Sequence, residues 1–233
     1  LSKPEFDWEI RGFWVNEGPS VLKRNGKIFI SYSASATDEN YAMGLLWADE
    51  SADLLDHAAW TKSPEPVFAT CYEHGIYGPG HNSFFTAGGE LFTSYHSHKY
   101  PQAPSGNRQL NIDRAGFRKD GTAYINGPTL TPQLRPLKDL GLVNAALSAD
   151  ISVSGGDGSL LADGDYGIQN AAFAFLPEYE GWAELAFPSP VHSDLMMIYP
   201  AFGTAGKLTV IVNGEKAAIH VFEQERLPGE ALI

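Results

Sequence analysis

A carboxylate at the entrance of a predicted β-hairpin is the part of this sequence best suited to chemistry. Glu17 stands in an Asn-Glu-Gly-Pro run at 16–19, after an apolar segment at 13–15. A sheet can hold such a glutamate at its edge, where the carboxyl group can exchange a proton with a substrate. The alternative is an ordinary hairpin glutamate, which is the usual role of an isolated Glu-Gly-Pro sequence.

The elements around Glu17 recur later in the chain. The Asn-Gly pair at 25–26 separates two alternating apolar runs and predicts a tight hairpin. A second Gly-Pro run, at 78–82, leads into another predicted hairpin that turns at 88–89. In both units a tyrosine follows six residues after the turn glycine, and the separation of Tyr32 and Tyr95 gives a period of 63 residues.

Each repeat contains four predicted strands. The first unit continues with strands at 42–47 and 59–68, and the second with strands at 109–117 and 122–127. Four short strands per repeat are typical of a β-propeller blade. An antiparallel meander with a chance repeat is the alternative.

The composition fits an all-β protein. The 233 residues include 24 Gly and 15 Pro, and the one helix-like stretch, at 53–59, is short.

The net charge of −12 disfavours nucleic acid and anionic membrane surfaces as partners. No apolar run is long enough to cross a bilayer, and the single Cys71 excludes an internal disulfide.

With these motifs in place, the first part of the sequence resembles glycoside hydrolase family 43, on the branch that contains α-L-arabinofuranosidases. The motifs that carry the resemblance are Val-Asn-Glu-Gly-Pro at 15–19, Gly-Leu-Leu at 44–46, Tyr-Gly-Pro-Gly-His-Asn-Ser-Phe at 77–84, Tyr-His at 95–96 and Arg-Gln-Leu-Asn-Ile-Asp at 108–113. The resemblance implies that residues 1–137 form the C-terminal part, the last two blades, of a five-bladed propeller that hydrolyses glycosides with inversion.

The resemblance also implies roles for individual residues. Glu17 takes the role of the general acid, and Trp14, His81, Asn82 and Arg108 are predicted to contact substrate. At the propeller axis, His81 is predicted either to make a polar contact or to hold calcium through water, although the chemistry itself requires no cofactor. For Arg108 a surface position is an equal alternative. At His98 the sequence departs from the family, where an arginine often stands.

A second carboxylate is needed to activate water on the opposite face of the sugar, roughly 6.5 to 9.5 Å from the acid. The family places its base and its third acidic residue in earlier blades. Asp7, expected on the outer strand of a preceding blade at 6–10, and Asp113, within a strand, are not assigned as the base. Two blades alone would expose sheet edges and apolar faces, so we expect completion by an N-terminal propeller fragment or by self-association.

The pattern changes after Pro136. Short alternating strands, which include 195–199, 207–212 and 217–222, predict an antiparallel β-sandwich over residues 138–233. The order of its motifs resembles discoidin-like, galactose-binding-like jelly rolls. Its role is predicted to be structural or docking, with glycan binding through Phe173, Phe175, Tyr179 and Phe202 as the alternative. Asp163 and Asp165 either form an Asx-type turn or contribute to a calcium site.

The functional prediction is an inverting, exo-acting α-L-arabinofuranosidase that acts on the side chains of arabinan or arabinoxylan. The competing hypothesis is a noncatalytic carbohydrate-binding or scaffold protein that keeps the blades without the chemistry. An arabinose-containing polysaccharide substrate favours a secreted or periplasmic location.

Overall fold

Two four-stranded antiparallel sheets make up the first half of the computed structural model, which describes residues 1–102, 107–118, 120–130, 132–165, 181–193, 195–199 and 206–222. The strands of the first sheet are β1 (Asn16–Arg24), β2 (Lys27–Ala34), β3 (Ala42–Asp49) and β4 (Thr61–Lys62). Those of the second are β5 (Tyr77–Ala87), β6 (Glu90–His98), β7 (Arg108–Phe117) and β8 (Ala123–Ile125). In each sheet the spatial order is the chain order, as the repeat predicted.

The two sheets repeat in detail. Each first hairpin turns through two residues of positive φ, Asn25 and Gly26 in one sheet and Gly88 and Gly89 in the other. Such turns match the right-handed twist of the strands, and glycine adopts them without strain. The turn glycines at 26 and 89 are 63 residues apart, in agreement with the predicted period.

The tyrosines that mark the repeat perform the same structural task. Tyr32 donates its hydroxyl to Oε1 of Glu9 at 2.8 Å, and Tyr95 donates to Oδ2 of Asp113 at 2.7 Å. Both carboxylates are fully buried. Each sheet therefore holds a buried carboxylate through the hydroxyl of its repeat tyrosine.

The core lies between the two sheets. β1 contacts β5, and the rings of Phe68 and Tyr95 form a T-shaped pair with 4.7 Å between their centroids. Apolar side chains from both sheets fill this interface: Phe29, Met43, Leu45, Phe68, Ile76, Tyr95, Ala115, Ala123 and Ile125. Burial of these side chains joins the sheets into one body.

A short N-terminal segment covers the opposite face of the first sheet. The outer strand predicted at 6–10 is wrong, because the segment contains a 3-10 helix, Asp7–Glu9. The Glu9 carboxylate accepts the backbone N–H groups of Glu5 and Phe6 and so closes the turn. Trp8 packs on Tyr32, whereas Asp7 is exposed.

The outer strand of the first sheet is shorter than the predicted 59–68. A 3-10 helix, His57–Ala59, precedes β4, and pairing resumes only where Met43 bonds to Val67 and Phe68. Prolines at 64 and 66 lack the N–H group that an uninterrupted ladder needs.

Beyond β8, the described residues include three 3-10 helices, Leu137–Leu140, Ala145–Ser148 and Gly158–Leu161, and two separate two-stranded antiparallel sheets. The sheets pair β9 (Asp150–Val153) with β10 (Ala183–Ala186), and β11 (Gly206–Val212) with β12 (Glu215–Phe222). The predicted strands at 207–212 and 217–222 are present, but segment 195–199 has a single bridged residue, Ile198. The β-sandwich over 138–233 and the domain boundary stay predictions, and Phe173, Phe175, Tyr179 and Phe202 lie outside the described residues.

Segments after β8 also pack on the second sheet. Arg114 forms an ion pair with Glu90 and donates to the Leu134 carbonyl oxygen at 2.9 Å. Asp165 pairs with Arg118, and its backbone N–H donates to Oδ1 of Asp163 at 2.9 Å. This last bond is the predicted Asx turn. In the described part of the chain, no helix has the length and apolar character that crossing a membrane requires.

Candidate active site

Both Gly-Pro runs are irregular starts of the strands through which the two sheets meet. The register of β1 shifts between Glu17 and Ser20, and that of β5 shifts on both sides of Gly80. Gly18 and His81 both have positive φ, of 56° and 51°. Bulges re-aim side chains and are common beside active sites, and a positive φ at a residue other than glycine is uncommon. The two irregularities bring Glu17 and His81 together.

Glu17 is half-buried and hydrogen-bonds to Tyr41, which comes just before β3. The Tyr41 hydroxyl donates to Oε1 of Glu17 at 2.7 Å, and the tyrosine is fully buried. Burial and the bond to the Glu17 carboxylate raise the pKa of Tyr41 well above its usual value. Tyr41 therefore acts as a permanent hydrogen-bond donor to the candidate acid.

His81 lies against Gly18, the residue that follows Glu17. A Cβ on Gly18 would come within 2.9 Å of the imidazole, so only glycine leaves room for the ring. The backbone N–H of His81 donates to Oγ of Ser33 at 2.8 Å, and Nδ1 lies 3.5 Å from the Tyr41 hydroxyl. The ring is exposed and stands beside the candidate acid, where it can contact a ligand.

Two more histidines and an arginine complete the polar cluster. The Tyr41 ring stacks on His96 at 5.5 Å between centroids, and His98 lies 6.0 Å beyond His96. Burial lowers the pKa of His96 to about 4, and the nearby Arg108 charge acts in the same direction. The pKa of His98 is lowered for the same two reasons. Arg108, at the start of β7, has an exposed side chain, and its positive charge acts on both histidines of this cluster.

The remaining predicted ligand contacts have different surroundings. Asn82 is buried, and its amide accepts from Ser31 at 2.7 Å and donates to Thr93 at 3.0 Å, so it links the two sheets. Trp14 is 74% exposed and lies just before β1. Substrate contact by either residue stays a prediction, as it does for His81 and Arg108.

The described residues do not form a calcium site around His81. Calcium prefers six to eight oxygen ligands, whereas the described contacts of the His81 ring are with Gly18, Tyr41 and His96. Within the described ranges, no group of three or more His, Cys, Asp or Glu side chains is arranged to bind a metal. The water-mediated contact between His81 and calcium stays a prediction.

Asp113 is not placed to act as the general base. Its two oxygens accept hydrogen bonds from Tyr95, from the backbone and hydroxyl of Thr129, and from Gln133 at 3.1 Å. Burial raises its pKa to about 6. The residue anchors the segment after β8 to the second sheet.

Sequence reasoning missed Tyr41. It belongs to none of the motifs, and no tyrosine stands 63 residues later to mark it as part of the repeat. A glycine can mark a position that another group approaches closely, and Gly80 in the second Gly-Pro run is such a glycine. In the structure, a Cβ at Gly80 would lie 2.5 Å from the Tyr41 ring.

Two similar four-stranded sheets pack on each other as neighbouring blades of a β-propeller do, with a carboxylate and polar rings at the ends of their contacting strands. The chain belongs to the glycosyl hydrolases family 43, whose sequence profile matches residues 1–123.

Named relatives agree with this assignment. An extracellular exo-alpha-(1->5)-L-arabinofuranosidase from Streptomyces avermitilis is 45% identical over 135 residues, which are 55% of this chain and 28% of the relative. Alpha-L-arabinofuranosidase 43 from Humicola insolens is 42% identical over the same shares. The chain therefore spans less than a third of the length of these curated relatives.

Solved structures give the same result for the fold. The crystal structure of an alpha-L-arabinofuranosidase from Lactobacillus brevis matches with a TM-score of 0.54 at 45% identity, covering 57% of this chain and 43% of that one. A thermostable family-43 glycoside hydrolase matches with a TM-score of 0.50 at 41% identity and the same coverage.

Proposed function

We propose that this chain supplies the general acid of an inverting, exo-acting α-L-arabinofuranosidase, and that Glu17 is this acid. The observation that carries the proposal is the Glu17 carboxylate at a bulged strand end, bonded to Tyr41 and flanked by His81. Membership of family 43 supports glycoside hydrolysis, and the names of the relatives support arabinofuranosides as substrates.

The proposed reaction follows from the chemistry of an acetal. The leaving oxygen departs poorly as an alkoxide, so Glu17 transfers its proton to that oxygen as the glycosidic bond breaks. A water molecule, activated by a second carboxylate, attacks the anomeric carbon from the opposite face and inverts its configuration. His81, Arg108 and Trp14 are proposed to bind the sugar. This is supported by the packing of His81 on Gly18, by the electrostatic effect of Arg108 on Tyr41 and by the exposure of Trp14.

The second carboxylate is proposed to come from outside the two described sheets, either from an N-terminal propeller portion or from an associated copy. An apolar groove of about 420 Å³, between the second sheet and the segment at 129–136, is consistent with such packing. Its exposed side chains include Phe85, Ile112 and Leu130, which are 38%, 44% and 55% exposed. Size-exclusion chromatography and intact mass show whether the chain is a monomer, and an activity assay on the same sample shows whether it hydrolyses glycosides. A monodisperse, folded monomer that is active alone would contradict this part of the proposal.

The substrate proposed is the α-L-arabinofuranosyl side chain of arabinan or arabinoxylan. Because such polymers lie outside the cell, and because two relatives are named extracellular, a secreted or periplasmic location is proposed as well.

Proton NMR of the reaction tests the proposal most broadly. With an arabino-oligosaccharide, the intact protein is expected to release arabinose monomers whose first detected anomer is inverted. Retained configuration would contradict the inverting mechanism, and internal cleavage products would contradict exo action. Binding without turnover would favour the noncatalytic carbohydrate-binding alternative.

A further inference from the structure

We propose that Tyr41 is a positioning residue for Glu17: its hydroxyl holds Oε1 of the carboxylate and leaves Oε2 to carry the proton given to the leaving group. The inference rests on the proposed function of Glu17 as the acid. The Tyr41 hydroxyl donates to Oε1 at 2.7 Å. An oxygen that accepts this bond is the poorer site for the acidic proton, so the bond selects the other oxygen.

The position of the Tyr41 hydroxyl is itself fixed. Tyr41 precedes β3 in the first sheet, but its ring is held by the second sheet. Gly80 lies against one part of the ring, where a Cβ would approach to 2.5 Å, and His96 stacks on the ring with an interplanar angle of 13°. A fully buried side chain with neighbours this close has few alternative positions.

The charged and titratable groups around Tyr41 keep it a donor. Burial and the bond to Glu17 on β1 raise the pKa of Tyr41, while Ser33 on β2 and Arg108 on β7 act in the opposite direction. His81 on β5 lies 3.5 Å from the hydroxyl, and His96 on β6 is neutral above a pKa of about 4. The hydroxyl therefore keeps its proton over the pH range in which a glycosidase works.

Substrates with different leaving groups distinguish a positioning role of Tyr41 from a purely structural role. A sugar leaving group is strongly basic and needs the proton from the acid, whereas a dinitrophenolate departs without it. Loss of acid positioning therefore slows only the first kind of substrate. A general distortion of the site slows both.

The test compares Tyr41→Phe with wild type in the intact protein on an arabino-oligosaccharide and on dinitrophenyl α-L-arabinofuranoside. We expect kcat/KM to fall about 10- to 100-fold for the oligosaccharide and less than about 3-fold for the dinitrophenyl substrate. The matched control is Tyr95→Phe, which removes a hydroxyl from a 2.7 Å bond to Asp113 in the second sheet. It should not discriminate between the two substrates. Equal losses on both substrates for Tyr41→Phe would overturn the inference.

A second measurement does not depend on turnover. In a crystal structure of Tyr41→Phe, we expect the Glu17 carboxylate to leave its position or to occupy several rotamers, and an unchanged carboxylate would overturn the inference. Glu17→Gln separates the two proposals. Full oligosaccharide activity in Glu17→Gln would reject the proposed function, whereas a loss there without substrate discrimination in Tyr41→Phe would reject only the role of Tyr41.

Discussion

The Glu17 carboxylate and the Tyr41 hydroxyl are joined by a 2.7 Å hydrogen bond, although 24 residues separate them in the chain. Glu17 comes from the start of β1, whereas the Tyr41 ring packs on Gly80 and His96 of the second sheet. The candidate acid is therefore oriented by both sheets at once. Changes in the contact between the sheets should reach the chemistry through this bond.

Gly18→Ala is expected to abolish most activity because the new Cβ would lie 2.9 Å from the His81 imidazole. Gly26→Ala is the matched control, since Gly26 also has a positive φ but nothing lies within 4 Å of its Cβ position. Both variants should lose about 1 kcal/mol of stability from backbone strain. Kinetics and urea unfolding of both variants test this, and equal activity in the two would contradict the packing of His81 on Gly18.

Lys62→Met is expected to destabilise the first sheet strongly. Lys62 contacts Oε1 of Glu9 at 2.8 Å, and the Glu9 side chain is fully buried. Burial alone would raise the pKa of Glu9, but the bonds from Lys62, the backbone and Tyr32 hold it below its usual value. Removal of Lys62 leaves a buried carboxylate short of its cation, at a cost of about 3 to 5 kcal/mol.

The control for Lys62→Met is the same substitution at an exposed pair. Lys23 bonds to Glu50 with side chains 55% and 48% exposed, so Lys23→Met should cost less than about 1 kcal/mol. Denaturant unfolding of both variants gives the comparison. Similar losses would show that burial does not set the strength of the Glu9 pair.

His96→Gln is expected to change the pH dependence of stability. The pKa of His96 is lowered from 6.5 to about 4 in the folded state, first by burial. As the pH falls from about 6.5 to about 4, the unfolded wild-type chain takes up a proton that the folded protein excludes, so the wild type loses stability. The variant lacks this loss, which amounts to about 1 to 2 kcal/mol after allowance for screening. Urea unfolding at several pH values measures the difference between the two proteins.

Asp113→Asn should change the pH dependence of stability in the opposite direction, measured by the same urea unfolding at several pH values. Burial raises the pKa of Asp113 from 3.8 to about 6, so the folded wild type binds a proton more tightly than the unfolded chain. Stability from this group is present at low pH and is lost as the pH rises through about 6. The wild type should therefore lose stability relative to Asp113→Asn over this window. A change of the same sign as for His96→Gln would contradict the burial of the carboxylate.

Features of the fold that depend on neighbouring residues could be predicted from the sequence. The Asn25-Gly26 hairpin forms because adjacent residues accept positive φ, and the 63-residue repeat follows from the turns and tyrosines. The 3-10 helix around Glu9 was missed because Lys62, far along the chain, completes the environment of its carboxylate.

Long-range contacts in the site could not be predicted for the same reason. Asn82 bonds to Ser31, 51 residues away, and Tyr41 approaches His81, 40 residues away. Neither pair follows the repeat period. The motif indicated the acid, but only the packing of the two sheets indicates what orients it.

Glu17→Gln in the intact protein tests the central claim most directly. With an arabino-oligosaccharide, kcat should fall by a factor of about 10² to 10⁴, because the amide has no proton to give to the leaving oxygen, while the unfolding transition stays close to that of wild type. Glu65→Gln, at an exposed position after β4, is the control and should keep wild-type activity. Wild-type kcat in Glu17→Gln would contradict the assignment of Glu17 as the general acid.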